Sequence, residues 1–178
     1  GAQALACDST AIEVRALEFV GNDTFRGSEL ANGVATTQSS FARRVFRIIG
    51  QRYCLDETTV TQDSLRLILF YRNAGFASVK VAKEITMLDE RAARLRFVIT
   101  EGIPIRIDSV SYQGFESVPE FDRLTRGIEL KVGERFDKTV VLSVRDSLTR
   151  QHRERGSSHA AGTGSLEGRP ARHGATAK

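Results

Sequence analysis

The sequence predicts an α+β chain of two tandem β-α-α-β-β units, each a three-stranded sheet packed on two helices, the second unit incomplete. Three observations carry this. A segment order repeats within the chain, a helix-period run passes abruptly into a period of two, and the carboxy-terminal stretch is too poor in apolar residues to finish a second core.

The repeat sets the frame. "IEVRALEFVG" from Ile12 to Gly21 aligns with "IRIDSVSYQG" from Ile105 to Gly114, pairing Ile12 with Ile105, Val14 with Ile107, Leu17 with Val110 and Phe19 with Tyr112. "GQRY" (Gly50 to Tyr53) aligns with "GERF" (Gly133 to Phe136), and "YRNAG" ending at Gly75 with "HRERG" ending at Gly156. The offsets are 93, 83 and 81 residues, so the first unit carries extra residues before "GQRY". Phe41, Val45, Phe46 and Ile49 recur there at helical spacing and predict a short extra helix or elongated loop.

In the opening strand the apolar phase changes between Val14 and Leu17, which predicts a bulge or strong twist. Ser28 is placed to cap a short helix bearing Leu30 and Val34. Thr59 and Gln62 have capping-box spacing before a helix whose stripe is Leu67, Phe70, Tyr71 and Ala74, and Gly75 is suited to end it. Strict alternation follows: Val79, Val81, Ile85 and Met87 on one face, Lys80, Ala82, Glu84 and Thr86 on the other, with Lys83 the exception. A turn at "LDERA" leads into Leu95, Phe97 and Ile99, again alternating. Such a sheet buries one face under two helices and leaves the other wet.

Charge excludes one function class. The net charge of +4 is concentrated after residue 150, where five basic residues stand against two acidic ones; the first 150 residues hold 21 basic and 20 acidic. A body so nearly neutral gives no electrostatic footprint for nucleic acid. Arg43, Arg44, Arg47 and Arg52 are its only basic cluster, readable as a solvated helix face or a contact for an acidic partner. All three histidines, His152, His159 and His173, lie after residue 150, so no histidine-based metal or catalytic site is expected in the body. The acid pairs Asp56-Glu57 and Asp89-Glu90 fall at helix-start or turn positions without a partner base, and Ser39-Ser40 lacks a nucleophile's setting. No catalytic residue, metal or cofactor is expected.

The amino terminus, residues 1–11, reads either as the remnant of a secretion signal, with Ala4-Leu5-Ala6 at signal-peptidase spacing before Cys7, or as a plain Ala-rich flexible end. Cys7 and Cys54 have no metal-ligand spacing; in an exported chain they can form one disulfide, otherwise they are one surface and one buried thiol. Residues 157–178 contain no Val, Ile, Phe or Tyr and predict a disordered tail, native or created by a shifted reading frame or artificial junction.

Taken together, "VRALEFVGNDTF", "GQRY", "DSLRLILFYRNAGFASVKV" and "LRFVITEGIPIRIDSVSYQG" resemble consecutive polypeptide-transport-associated (POTRA) domains, most closely those of the BamA/TamA family of outer-membrane assembly and translocation proteins. The matching motif residues are Gly21, Tyr71, Gly75, Phe76, Glu101 and Gly102, with Gly50, Tyr53, Gly114, Gly133 and Phe136 repeated in order. On this resemblance, residues 12–102 form a first POTRA-like domain and 103–156 a second, incomplete one.

The resemblance implies a mixed sheet, a periplasmic setting attached to the outer membrane, and a carboxy-terminal membrane barrel that these 178 residues lack. It implies partners that are unfolded outer-membrane or secreted polypeptides, accessory proteins or chaperones, and no nucleic acid. It also implies an exposed second strand as the docking edge, which here is Ala77 to Leu88, with Ala77, Val79, Lys80, Val81, Lys83, Glu84 and Ile85 as the candidate positions for β-augmentation. The competing reading of that strand is an ordinary solvated edge on which Lys83 discourages pairing. A two-partner secretion transporter and a cell-division scaffold are alternatives within the same domain class, and a KH-type nucleic-acid module lies outside it.

Overall fold

The computed structural model describes residues 10–40, 51–111 and 130–154, the last four as helix backbone alone. Contacts divide the chain into two units, Gly1–Arg72 with Ser78–Gly102, and Asn73–Ala77 with Ile103–Lys178.

The first unit contains strand β1 (Glu13–Val20), helix α1 (Gly27–Gly33), helix α2 (Glu57–Asn73), strand β2 (Lys80–Asp89) and strand β3 (Ala92–Thr100). The expected β-α-α-β-β order is realised. The sheet order is β1-β3-β2, with β3 parallel to β1 and antiparallel to β2. The register of β1 shifts between Val14 and Ala16, so the phase change in its apolar pattern is a bulge at Arg15.

The core is built on β3, whose Ala93, Leu95, Phe97 and Ile99 are all buried while Arg94, Arg96 and Val98 alternate on the wetter face. Phe97 stacks on Phe19 of β1 at 5.7 Å, and Val14, Leu30, Val60, Leu67 and Tyr71 close over the same face. Each buried side chain of Leu or Phe size contributes about 1.5–3 kcal/mol, so β3 alone supplies much of what a domain this small can muster.

Both helix starts differ from expectation. Helix α2 begins at Glu57 because Asp56, not Thr59, is its cap: Asp56 Oδ2 accepts the Thr59 amide at 2.7 Å and the Thr59 hydroxyl at 2.6 Å. A carboxylate at this position also meets the positive end of the helix dipole, which a hydroxyl does not. Ser28 already lies inside α1, and the residue before that helix is Arg26, whose amide donates to Glu29 Oε2 at 2.8 Å.

The apolar stripe of α2 is likewise narrower than its spacing suggests. Leu67, Tyr71 and Ala74 are buried, but Phe70 is half exposed, and the stripe continues backward through Val60 and Asp63. Asp63 is fully buried and compensated: it accepts the amides of Ala35 and Thr36, each at 2.8 Å, and pairs with Arg66 at 2.5 Å.

In the second unit helix α3 (Lys138–Glu154) follows Asp137, whose Oδ1 accepts the amides of Thr139 and Val140. Ile105 to Gly114 was expected to be a strand. Up to residue 111 it forms bridges at Arg106, which pairs with Arg135, and at Ile107, and no extended strand among the described residues. Gly114 lies outside the described residues.

The hydrogen bonds also correct an alignment. In the first unit Val14 N–H donates to Tyr53 C=O and Leu55 N–H to Ile12 C=O; in the second Ile107 N–H donates to Glu134 C=O and Phe136 N–H to Ile105 C=O. Tyr53 therefore corresponds to Glu134 and Leu55 to Phe136, two residues away from the pairing of "GQRY" with "GERF". With this offset Asp56 corresponds to Asp137, and α2 and α3, each 17 residues long, start at equivalent positions. Gly50, like the arginine-bearing segment 41–50, lies outside the described residues.

Candidate functional site

A three-stranded sheet has two outer edges, and here they differ. On β1 the edge is partly taken: Val14 exchanges hydrogen bonds with Tyr53 and Ser39, Leu55 reaches Ile12, and the Leu17 amide meets Gln38 Oε1 at 3.4 Å. Strand β2 pairs with β3 alone among the described residues, leaving ten residues of backbone with one side open. The strand begins at Lys80, so of the candidate edge residues Lys80, Val81, Lys83, Glu84 and Ile85 belong to it, whereas Ala77 and Val79 precede it and Val79 is buried.

The alternation of β2 is present, but its apolar face is not covered along its length. Val81 is half-buried, while Ile85 and Met87 are 38% and 49% exposed, which corrects the expectation of a continuous core-facing side. An edge strand whose second half extends beyond its helix cover presents apolar side chains next to open backbone. Helix α2 adds two more exposed apolar groups, Leu65 and Leu69, one turn apart at 56% and 58% exposure.

Three charged residues of β2, Lys83, Glu84 and Asp89, reach partners on neighbouring elements. Lys83 Nζ donates to Thr61 Oγ1 of α2 at 2.8 Å, so its side chain leans onto the helix-facing side. On the opposite face Glu84 lies 3.6 Å from Arg96, which with Arg94 pairs with Glu18, and Asp89 pairs with Arg15 at 2.7 Å. Thr61 was not singled out by sequence; its role depends on a tertiary contact, and no periodicity marks it.

The segment entering β2 is fixed from several directions. Tyr71 is fully buried, its ring edge-on to Phe25 at 5.2 Å and its hydroxyl 3.0 Å from Glu101 Oε1. Burial, then the hydrogen bond and charge of Glu101, push the Tyr71 phenol well above the ordinary tyrosine range. Glu101 also accepts the Thr24 amide at 3.0 Å and hydroxyl at 2.6 Å, so one carboxylate joins α2, the exit of β3 and the loop before α1.

Gly75 follows at φ +93°, a left-handed turn in which a Cβ would collide with the Phe136 carbonyl within the second unit. In that unit the Gly75 carbonyl accepts Ile105 N–H, the Arg135 guanidinium donates to the Ala74 carbonyl, and Arg135 lies over the Phe76 ring at 5.6 Å. Gly21, Gly102 and Gly133 also have positive φ.

Other candidate groups have structural partners. Asp56 is the α2 cap, and Arg52 donates to the Ala11 carbonyl at 2.5 Å. Cys54 is disulfide-bonded, which favours the first of the two readings of the cysteines; Cys7, the other cysteine of the sequence, lies outside the described residues. Among the described residues there is no group of three or more His, Cys, Asp or Glu side chains able to hold a metal, and no helix long and apolar enough to cross a membrane. A cavity of about 400 Å³ between β1 and α1 is lined by Leu17, Phe19, Ala31 and Thr36, with no charged side chain in its described wall.

Comparison with known proteins gives one family. The model for POTRA, described as "Surface antigen variable number repeat", matches residues 12–102. Among solved structures the chain is similar to POTRA domains 3–5 of BamA from Haemophilus influenzae, at 16% identity and a TM-score of 0.46, over 82% of this chain and 56% of that one. It is also similar to the N-terminal domain of Omp85 from the thermophilic cyanobacterium Thermosynechococcus elongatus, at 13% identity and 0.37, over 80% and 56%. A third similarity is to POTRA1-2 of Omp85 from Anabaena, at 15% and 0.36, over 82% and 80%. The chain thus spans little more than half of the first two. The sequence matches none of the curated proteins.

Proposed function

The chain belongs to the POTRA family, and from that premise we propose that residues 12–102 receive an extended polypeptide along the open edge of β2. The setting is the periplasmic part of an outer-membrane protein assembly or translocation factor. The observation that carries this reading is the asymmetry of the sheet edges: β1 is partly occupied by residues 38–39 and 53–55, and β2 is paired on one side only among the described residues. Main-chain pairing is sequence-tolerant, which suits a receptor for many unfolded clients, and the exposed Ile85 and Met87 add apolar contact for alternate side chains. In the same reading, residues 103–156 are a second, incomplete copy of the domain, supported by the equivalent hydrogen bonds of Ile105 and Ile107.

The test uses two proline variants, Val81→Pro and Ala82→Pro. Successive strand amides point to opposite edges, so one substitution removes an amide that faces β3 and the other removes one that faces outward. The variant that keeps its circular dichroism melt has lost the outward amide. It is expected to bind a labelled peptide of alternating apolar and polar residues more weakly than the parent; equal binding would refute the proposal.

A further inference from the structure

Among the described residues the side of β2 that faces α2 carries one charge without a carboxylate partner. Val81, Lys83, Ile85 and Met87 share that side, and α2 presents Leu65 and Leu69 one and two turns beyond Thr61. Among the described residues Lys83 is therefore the one cation of that strand face, beside the apolar Val81, Ile85 and Met87. Its position is set by a short relay: the Thr61 hydroxyl donates to the Glu57 carbonyl at 2.8 Å, which leaves its oxygen to accept from Lys83 Nζ at 2.8 Å. An ammonium has three protons, and this contact uses one.

No carboxylate among the described residues pairs with it; Glu84, its neighbour in sequence, points to the other face toward Arg96. A polypeptide strand added along β2 would place alternate side chains on the α2 side, at the level of Val81, Lys83 and Ile85. Apolar side chains suit the first and third of these levels, and the middle one faces two ammonium protons without an acceptor among the described residues.

We infer that Lys83 is a specificity residue, selecting extended polypeptides that place a carboxylate among apolar side chains on the α2-facing side of the added strand. The inference rests on β2 being the receiving edge. Strand pairing supplies affinity, and Lys83 supplies preference.

The experiment measures binding of the full chain to end-capped nonapeptides that alternate valine and threonine, with glutamate, glutamine or lysine in place of the central valine. The repeating pattern lets each peptide slide by two residues until its central side chain meets Lys83. At low ionic strength the glutamate peptide is expected to bind about threefold tighter than the glutamine peptide, the scale of a solvent-exposed ion pair. That ratio should shrink as salt is raised. Lys83→Met should bring it to one, Lys83→Glu should turn the preference toward the lysine peptide, and Thr61→Val should reduce it by releasing the ammonium. Equal binding of the glutamate and glutamine peptides to the parent overturns the inference while leaving the edge reading intact. Absence of binding by all three peptides overturns the edge reading and the inference together.

Discussion

The hydroxyl of Tyr71 lies 3.0 Å from Glu101 Oε1, joining the last turn of α2 to the residue after β3, thirty positions away in sequence. Both are among the residues on which the sequence resemblance rests, and their contact holds the end of α2 against the sheet exit just ahead of the segment that becomes β2. Tyr71→Phe keeps the ring and loses the hydrogen bond, and is expected to destabilise the domain by about 1 kcal/mol in urea unfolding. Tyr71→Ala also opens a core cavity and should cost about 3–5 kcal/mol.

The same pair makes a pH prediction. A phenol whose pKa is raised on folding holds its proton longer in the native state than in the unfolded one. Its contribution is complete below the unfolded value near 10 and is lost as pH rises through the folded value. The alkaline loss of stability should therefore be shallower in Tyr71→Phe than in the parent.

Asp56 gives the opposite sign. Its hydrogen bonds from the Thr59 hydroxyl and amide lower its pKa, so its contribution is present above the unfolded value and is lost as pH falls through the folded one. Asp56→Asn keeps an acceptor at the cap but cannot titrate, and its melting temperature between pH 5 and pH 2 should fall less steeply than the parent's.

Asp63→Ala should be among the most damaging substitutions outside the apolar core. It leaves the amides of Ala35 and Thr36 buried without their acceptor and frees Arg66, at an expected cost of about 2–4 kcal/mol. Asp63→Asn, which retains one acceptor oxygen, should cost less.

Two glycines with similar backbone angles should respond differently to alanine. Gly21 (φ +76°) has no room for a Cβ, which would run into the Ile99 carbonyl of β3, whereas a Cβ at Gly133 (φ +86°) meets nothing within 4 Å. Gly133→Ala is expected to carry only the left-handed strain of about 1–2 kcal/mol, and Gly21→Ala that strain plus displacement of the central strand.

What could be read from sequence followed the physics that leaves a periodic trace. The alternation of Leu95, Phe97 and Ile99 marked β3 because a strand buried on one face needs it, and the phase change after Val14 marked the bulge for the same reason. Alternation reports which residues share a face and not whether that face is covered, so the exposure of Ile85 and Met87 was not legible. Thr59 and Gln62 had the spacing of a cap, yet Asp56, three residues before Thr59, offers a stronger acceptor. The glycine and aromatic identities of "GQRY" and "GERF" suggested a register that the hydrogen bonds of Tyr53 and Glu134 place two residues away. Asp63 did leave a trace, a carboxylate in line with Val60 and Leu67, but its acceptor role depends on Ala35 and Thr36 meeting it across the fold.

The most direct test of the edge reading is residue-resolved amide hydrogen exchange of the full chain with and without a capped valine–threonine peptide carrying a central glutamate. Addition of the peptide is expected to slow exchange at alternate amides between Lys80 and Met87, those pointing away from β3, and to leave the outer amides of β1 from Leu17 to Val20 unchanged. Protection confined to β1, or peptide binding with no change in any β2 amide, would contradict it.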